Sequence, residues 1–165
     1  MSDSPKSAVS APISFIFGIN TQLLSNALTG VSEQDFLRRP TPVTNSAAWI
    51  AGHAIQTRAM LLGLLGDPVE TGWGATFNRG AEPTSAEAFP SRDAMLALAS
   101  DIATRLQAKL ATLDDAALSA DAQGPKLPMV KSVAEMLSFF ALHDSYHVGQ
   151  LAYIRKALGY PQLVG

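Results

Sequence analysis

The strongest constraint on the fold lies between Ser132 and Gly159, where the chain carries both ends of one long helix. Ser132 and Glu135 form an S-x-x-E capping box ahead of an apolar run. Gly159 supplies a stop, Pro161 blocks continuation, and Arg155 and Lys156 put positive charge at the negative end of the helix dipole. Met136, Phe140, Leu151, Ile154 and Leu158 recur at helical spacing along it. A helix with one apolar stripe must bury that stripe, so the rest of the chain has to supply matching partners.

Three further helical patterns do so. The first runs from about Ile13 to Leu28, with Ile13, Ile16, Leu23, Leu24 and Ala27 on one face, Asn20 among them, and Gly30 as the stop. The stretch "SEQDFLRRP" reads as a short helical turn ending before Pro40. The second long helix opens at Asn45 or Ser46, either a good N-cap, and breaks at "GDP" after Leu65. Its apolar face holds Trp49, Ile50, Met60, Leu61 and Leu64. The third opens at Ser91 and carries the stripe Met95, Leu98, Ile102, Leu106, Leu110 and Leu113. No strand pattern is present. The expectation is an all-α four-helix bundle over residues 12–165, preceded by a flexible tail over residues 1–11. Residues 66–90 contain glycines and three prolines and are long enough to run the length of such a bundle. A crossover between the second and third helices is therefore expected, and a connection of that length is often functional.

Composition narrows the function. Hydrophobic residues make up 47% and charged residues 16%, which suits a packed core rather than a disordered chain. The net charge is -2 and no basic block occurs, which argues against nucleic-acid binding. The chain has no cysteine, so disulfides, thiolate nucleophiles and cysteine zinc sites are excluded. The opening "MSDSPKSAVSAP" lacks the apolar core of a signal peptide, and no run of 18 apolar residues exists. A cytoplasmic protein without a membrane span is the expectation.

The chain has three histidines, and two of them, His143 and His147, sit four residues apart within the stripe of the last helix. Residues so placed are neighbours, with Cβ atoms about 5–6 Å apart, and two imidazoles there can reach one metal ion. His53 lies in the middle of the apolar face of the second helix and could add a third ligand from across the bundle. Three ligands with one open position is the catalytic arrangement. Spacing alone leaves a second reading open, in which each histidine is a core residue hydrogen-bonded to a carbonyl or hydroxyl.

The stretches "LTGVSEQDFLRRPTPVTNSAAWIAGHA" (Leu28 to Ala54) and "HDSYHVGQLAYIRKALG" (His143 to Gly159) resemble the DinB-like superfamily, the DinB/YfiT-like metalloenzymes. In that pattern a histidine follows an S-x-x-W start in the second helix, and H-x-x-x-H-x-G-Q falls in the last. His53, His143 and His147 match it. The resemblance implies an up-down-down-up bundle, zinc or nickel on the three histidines, and often a homodimer. The superfamily includes bacillithiol-using S-transferases and mycothiol-dependent isomerases, so it also implies a thiol-dependent transferase, with a low-molecular-weight thiol as a further cofactor and an unidentified small-molecule substrate.

Other residues carry weaker expectations. Asp144 could accept a hydrogen bond from a ligand imidazole, but a neighbour at i+1 points about 100° away, so the rim is expected. Gln150 could orient a bound water. Asn20 needs a polar partner if buried. Thr57, one turn beyond His53, could line a pocket or bond back to the helix. Trp49 shares the face of His53. Trp73, Phe77, Asn78 and Arg79, in the 66–90 connection, could form a lid or substrate wall, or Trp73 and Phe77 could plug the bundle end, which is the expectation. An exposed aromatic patch around Phe15, Phe17 or Phe139 could contribute to a dimer interface or belong to the core. Three functions stay open: a thiol-dependent transferase, a metal-dependent hydrolase, and a metal-dependent binding or stress-response module without turnover. No glutamate flanks a histidine in the H-E-x-x-H manner, and Glu135 is about two turns from His143, which favours thiol chemistry over hydrolysis.

Overall fold

The computed structural model describes residues 7–81, 86–124 and 128–164. Residues 1–6 of the expected tail lie outside the described residues. Six α-helices are present among those described, with no named strand: α1 (Ser10–Leu28), α2 (Glu33–Leu37), α3 (Ala47–Leu64), α4 (Arg92–Leu110), α5 (Asp115–Ser119) and α6 (Val133–Ala157). Side-chain caps set most of the starts. The hydroxyls of Ser46, Ser91 and Ser132 accept from the backbone N–H groups of Trp49, Ala94 and Glu135, and Glu135 returns its carboxylate to complete the box. Each such cap is worth about 1 kcal/mol. Gly159 closes α6 with a φ of 88°, a conformation that favours glycine.

Four long helices form the bundle, and contacts at known heights give their directions. Asn20 on α1 meets Ser145 on α6, and Arg155 near the end of α6 donates to the carbonyls of Ala27 and Thr29, so α1 and α6 run the same way. Gln107 on α4 donates to the Ser14 carbonyl at 2.8 Å while Arg92 reaches Val31, so α4 runs opposite to α1. Arg105, late in α4, binds Asp67 just past the end of α3, which makes α3 and α4 parallel. The end of α3 and the start of α4 therefore lie at opposite ends of the bundle, as the length of the connection predicts.

The core follows the apolar stripes, with local corrections. Ile13, Phe17, Leu24 and Leu28 of α1 are buried, whereas Ile16 is partly exposed. The buried stripe steps through positions 13, 17, 20 and 24, which leaves Ile16 on its flank. Met60 of α3 is also exposed, whereas Ile50, Ile55, Leu61 and Leu62 are buried. On α4, Met95, Ile102, Leu106 and Leu110 are fully buried, and Leu113 follows the helix half-buried. The one-turn α5, capped by Asp114, adds the buried Leu118. Of the three aromatics considered as a patch, Phe15 is exposed, Phe17 is in the core, and Phe139 is half-buried against Phe140.

Candidate metal centre

His53 on α3 and the pair His143 and His147 on α6 come together because α3 and α6 pack side by side. The Nε2 atom of His143 lies 3.4 Å from Nε2 of His53 and 3.1 Å from Nε2 of His147. Two nitrogens on one tetrahedral ion, each at about 2.0–2.1 Å, are about 3.3 Å apart, so these separations fit a shared ion.

The other ring nitrogens fix which lone pairs point inward. Nδ1 of His53 lies 2.7 Å from the carbonyl oxygen of Phe77, which can only accept, so that nitrogen carries the proton. Its Nε2 is therefore a bare lone pair. Nδ1 of His147 donates to the amide oxygen of Gln150 at 2.7 Å, and the amide nitrogen of Gln150 donates to the Tyr146 hydroxyl at 3.1 Å. Nε2 of His147 is thus a second inward lone pair. A single N–H on His143 can satisfy only one of the two, whereas a cation satisfies all three imidazoles at once. The Nδ1 atom of His143 is buried without a partner among the described residues. The donor set therefore fits a divalent metal.

Electrostatics agree with neutral, ligand-ready imidazoles. Burial pushes the His143 pKa down to about 4, and the neighbouring His147 and His53 add to the fall. The His147 pKa is also lowered, by burial first. The Trp49 indole stacks on His53, with ring centroids 4.9 Å apart and planes 9° from parallel.

The 66–90 connection contributes directly. Phe77 is fully buried, and its ring lies where a Cβ on Gly52 would stand, 2.2 Å from the nearest ring atom. A side chain at position 52 would drive Phe77 away and take the carbonyl that holds His53 with it. Phe77 is therefore part of the centre rather than a plug at the bundle end. Trp73 meets it edge-on at 5.1 Å.

Asp144 departs from the rim position expected for it. It is 2% exposed and forms a two-pronged pair with Arg58, Nε to Oδ1 and Nη2 to Oδ2, both at 2.8 Å. Arg58 also donates to Thr21 of α1 at 3.0 Å. The reason is geometric: α6 packs against both α1 and α3, so a residue 100° from the histidine face still points inward. Asn20 finds its partner in the Ser145 hydroxyl at 2.9 Å. Gln150 holds His147 rather than standing free for a water. Thr57 is half-buried. Arg58 and Gly52 carry no signal in the histidine pattern. The available hint was charge: Arg58 is the sole charged residue between Ala47 and Leu64, and Asp144 the sole one between Met136 and Ile154.

The DinB superfamily model matches residues 17–151, a span that includes all three histidines and Gln150. The chain belongs to the DinB superfamily. Among solved structures, it is similar to a conserved protein from Enterococcus faecalis, with a TM-score of 0.71 over 90% of this chain and 95% of that one. Identity is 13%, so this likeness shows the fold alone. No curated protein matches the chain. Among the described residues, no helix is long and apolar enough to cross a membrane.

Proposed function

We propose that this DinB superfamily protein binds a divalent metal, zinc or nickel, through Nε2 of His53, His143 and His147, and works as a thiol-dependent transferase. The observation that carries this reading is the convergence of the three Nε2 atoms, with the lone pairs of His53 and His147 turned inward by the partners of their Nδ1 atoms. A metal held there lowers the pKa of a bound thiol or water. The chain's own residues do the positioning. The Phe77 carbonyl and the Gln150 amide hold two ring tautomers, and Trp49 covers one face of His53.

The preference for thiol chemistry rests on which carboxylates are free. Glu135 accepts from the backbone N–H groups of Lys131 and Ser132 at 2.7 and 3.0 Å, which hold its carboxyl below the usual range, and it is committed to the cap. Asp144 is committed to Arg58. Among the described residues, no further His, Cys, Asp or Glu joins the histidine group. A hydrolase thus lacks a protein base beside the site, and a purely structural centre lacks a fourth protein ligand. Cobalt substitution tests the open position. Adding a low-molecular-weight thiol to the cobalt form should produce a thiolate-to-cobalt charge-transfer band, and an unchanged spectrum would count against a thiol ligand.

A homodimer and a cytoplasmic location go with this reading. Phe15, 68% exposed, and the adjacent Ile16 and Ile19 offer an apolar strip on α1 for a second copy. A Phe15→Glu variant that stays at the parent's mass in light scattering would remove α1 from the interface.

A further inference from the structure

Four glycines stand inside helices among the described residues, and one has a steric reason: the Phe77 ring occupies the place of a Cβ on Gly52. A Cβ added at Gly18 or Gly63 would meet Gln107 or Pro68 at ordinary contact distances, 3.7 and 3.9 Å. Gly149 faces open space. A Cβ added there would meet nothing within 4 Å, and its φ is not positive. A glycine in a helix interior is unfavourable relative to alanine, so the bare backbone at Gly149 is a cost that no contact among the described residues explains.

The space over Gly149 belongs to a cavity of about 530 Å³ between α6 and the segment leading into α3, lined among others by Thr44, Asn45, Tyr146, Gly149, Gln150 and Tyr153. None of the three histidines lines it, so it lies behind His147, on the Gln150 side. Tyr146 and Tyr153 are each 62% exposed. They stand seven positions apart, a rise of about 10.5 Å along the helix, with Gly149 between. That span suits one ring held between two others at centroid distances of about 4.5–7 Å from each. No charged side chain lines the cavity. Its free polar groups are mainly donors. The Tyr146 oxygen accepts from Gln150, which leaves its own O–H to donate. The Tyr153 hydroxyl and the Asn45 amide nitrogen have no partner among the described residues.

We propose that this slot is a second binding site, separate from the histidine centre, for a neutral planar ring compound bearing carbonyl or ring-nitrogen acceptors. The ring lies over Gly149 between the two tyrosines and accepts from their hydroxyls and from Asn45. A ligand on the Tyr146 hydroxyl joins the hydrogen-bond chain through Gln150 to Nδ1 of His147. That link matters only if the histidines hold a metal; the binding itself does not depend on it.

The test uses menadione and lumichrome as probes, with saturation-transfer NMR and calorimetry on the full chain, once with zinc and once with EDTA. Saturable binding is expected in both conditions. Gly149→Leu, which fills the slot, and Tyr153→Ala, which removes one wall, should each weaken it at least about tenfold. The zinc content of both variants should stay that of the parent, and Gly149→Leu should melt no lower than the parent, because a side chain there restores helix propensity. No binding of either probe to the parent, or equal binding to both variants, overturns the proposal. A dimeric parent that Gly149→Leu converts to monomer also overturns it, because the face then belongs to a second copy. Zinc content is read separately by plasma mass spectrometry, so an empty histidine site and an empty slot are told apart.

Discussion

The seam between α3 and α6 and the seam between α1 and α4 are built from opposite materials. Across α1 and α4 the interior is Ile13, Phe17, Met95, Ile102, Leu106 and Leu110, and the polar link between them, Ser14 with Gln107, is only part-buried. Across α3 and α6 the interior holds three imidazoles, a carboxylate and a guanidinium. Apolar burial contributes about 25 cal/mol per Å² without directional demands. Buried polar groups contribute little net stability unless every partner is in place. Apolar burial along all four long helices, including Ile55 and Leu62 of α3 and Leu137 and Leu151 of α6, therefore offsets the polar groups that the α3–α6 seam holds poised for a ligand.

The sharpest way to break that comparison is to remove half of the buried pair. Arg58→Ala leaves Asp144 charged and dry, and should lower unfolding free energy by about 3–5 kcal/mol in urea titrations. The double variant Arg58→Met/Asp144→Leu should recover most of the loss. A single variant as stable as the parent would mean that water reaches Asp144. In the apolar seam, Ile102→Ala should cost about 2–5 kcal/mol while leaving metal content unchanged.

Gly52→Ala is expected to act on both stability and site. Overpacking against Phe77 should cost about 1–3 kcal/mol, and displacement of the Phe77 carbonyl should free His53 and weaken zinc binding. Zinc affinity equal to the parent's would show that His53 needs no carbonyl to hold it. Gln150→Leu should leave stability near the parent's and lower metal affinity by about 10–100-fold. A competition titration with a chromogenic chelator reads that change.

The fold was largely legible because helix signals are local. The caps at Ser46, Ser91 and Ser132 and the stop at Gly159 lie where the residue types put them. The histidine cluster was legible because its spacing matches one turn of helix. What escaped were relations between distant segments. Nothing near Gly52 announces Phe77, which arrives from a connection 25 residues later. Asp144 reads as peripheral from a single helix face, whereas α6 packs against two neighbours. Arg58 and Asp144 are each ordinary alone and informative only as a pair. Ile16 and Phe17 differ by one position, and the choice between them depends on how α1 is rotated against α6, which side-chain periodicity defines only loosely.

The smallest effect expected is on pH dependence. His143 has a folded pKa near 4 against an ordinary 6.5, so between those values the unfolded chain binds more protons than the folded one. Metal-free protein should be most stable above pH 6.5 and lose stability as the pH falls towards 4. The lowered His147 pKa acts in the same direction. Urea midpoints of the metal-free parent and of His143→Gln across that range check this, and the variant should show the shallower slope.

The most direct test of a shared three-histidine site is metal content by plasma mass spectrometry on protein purified without a histidine tag, beside His53→Ala and His147→Ala. Close to one zinc or nickel per chain is expected in the parent, with loss in both variants, because each removes one of three converging lone pairs. A parent that stays empty after incubation with divalent ions, with both variants equally empty, would contradict the site and leave the three histidines as residues of the core.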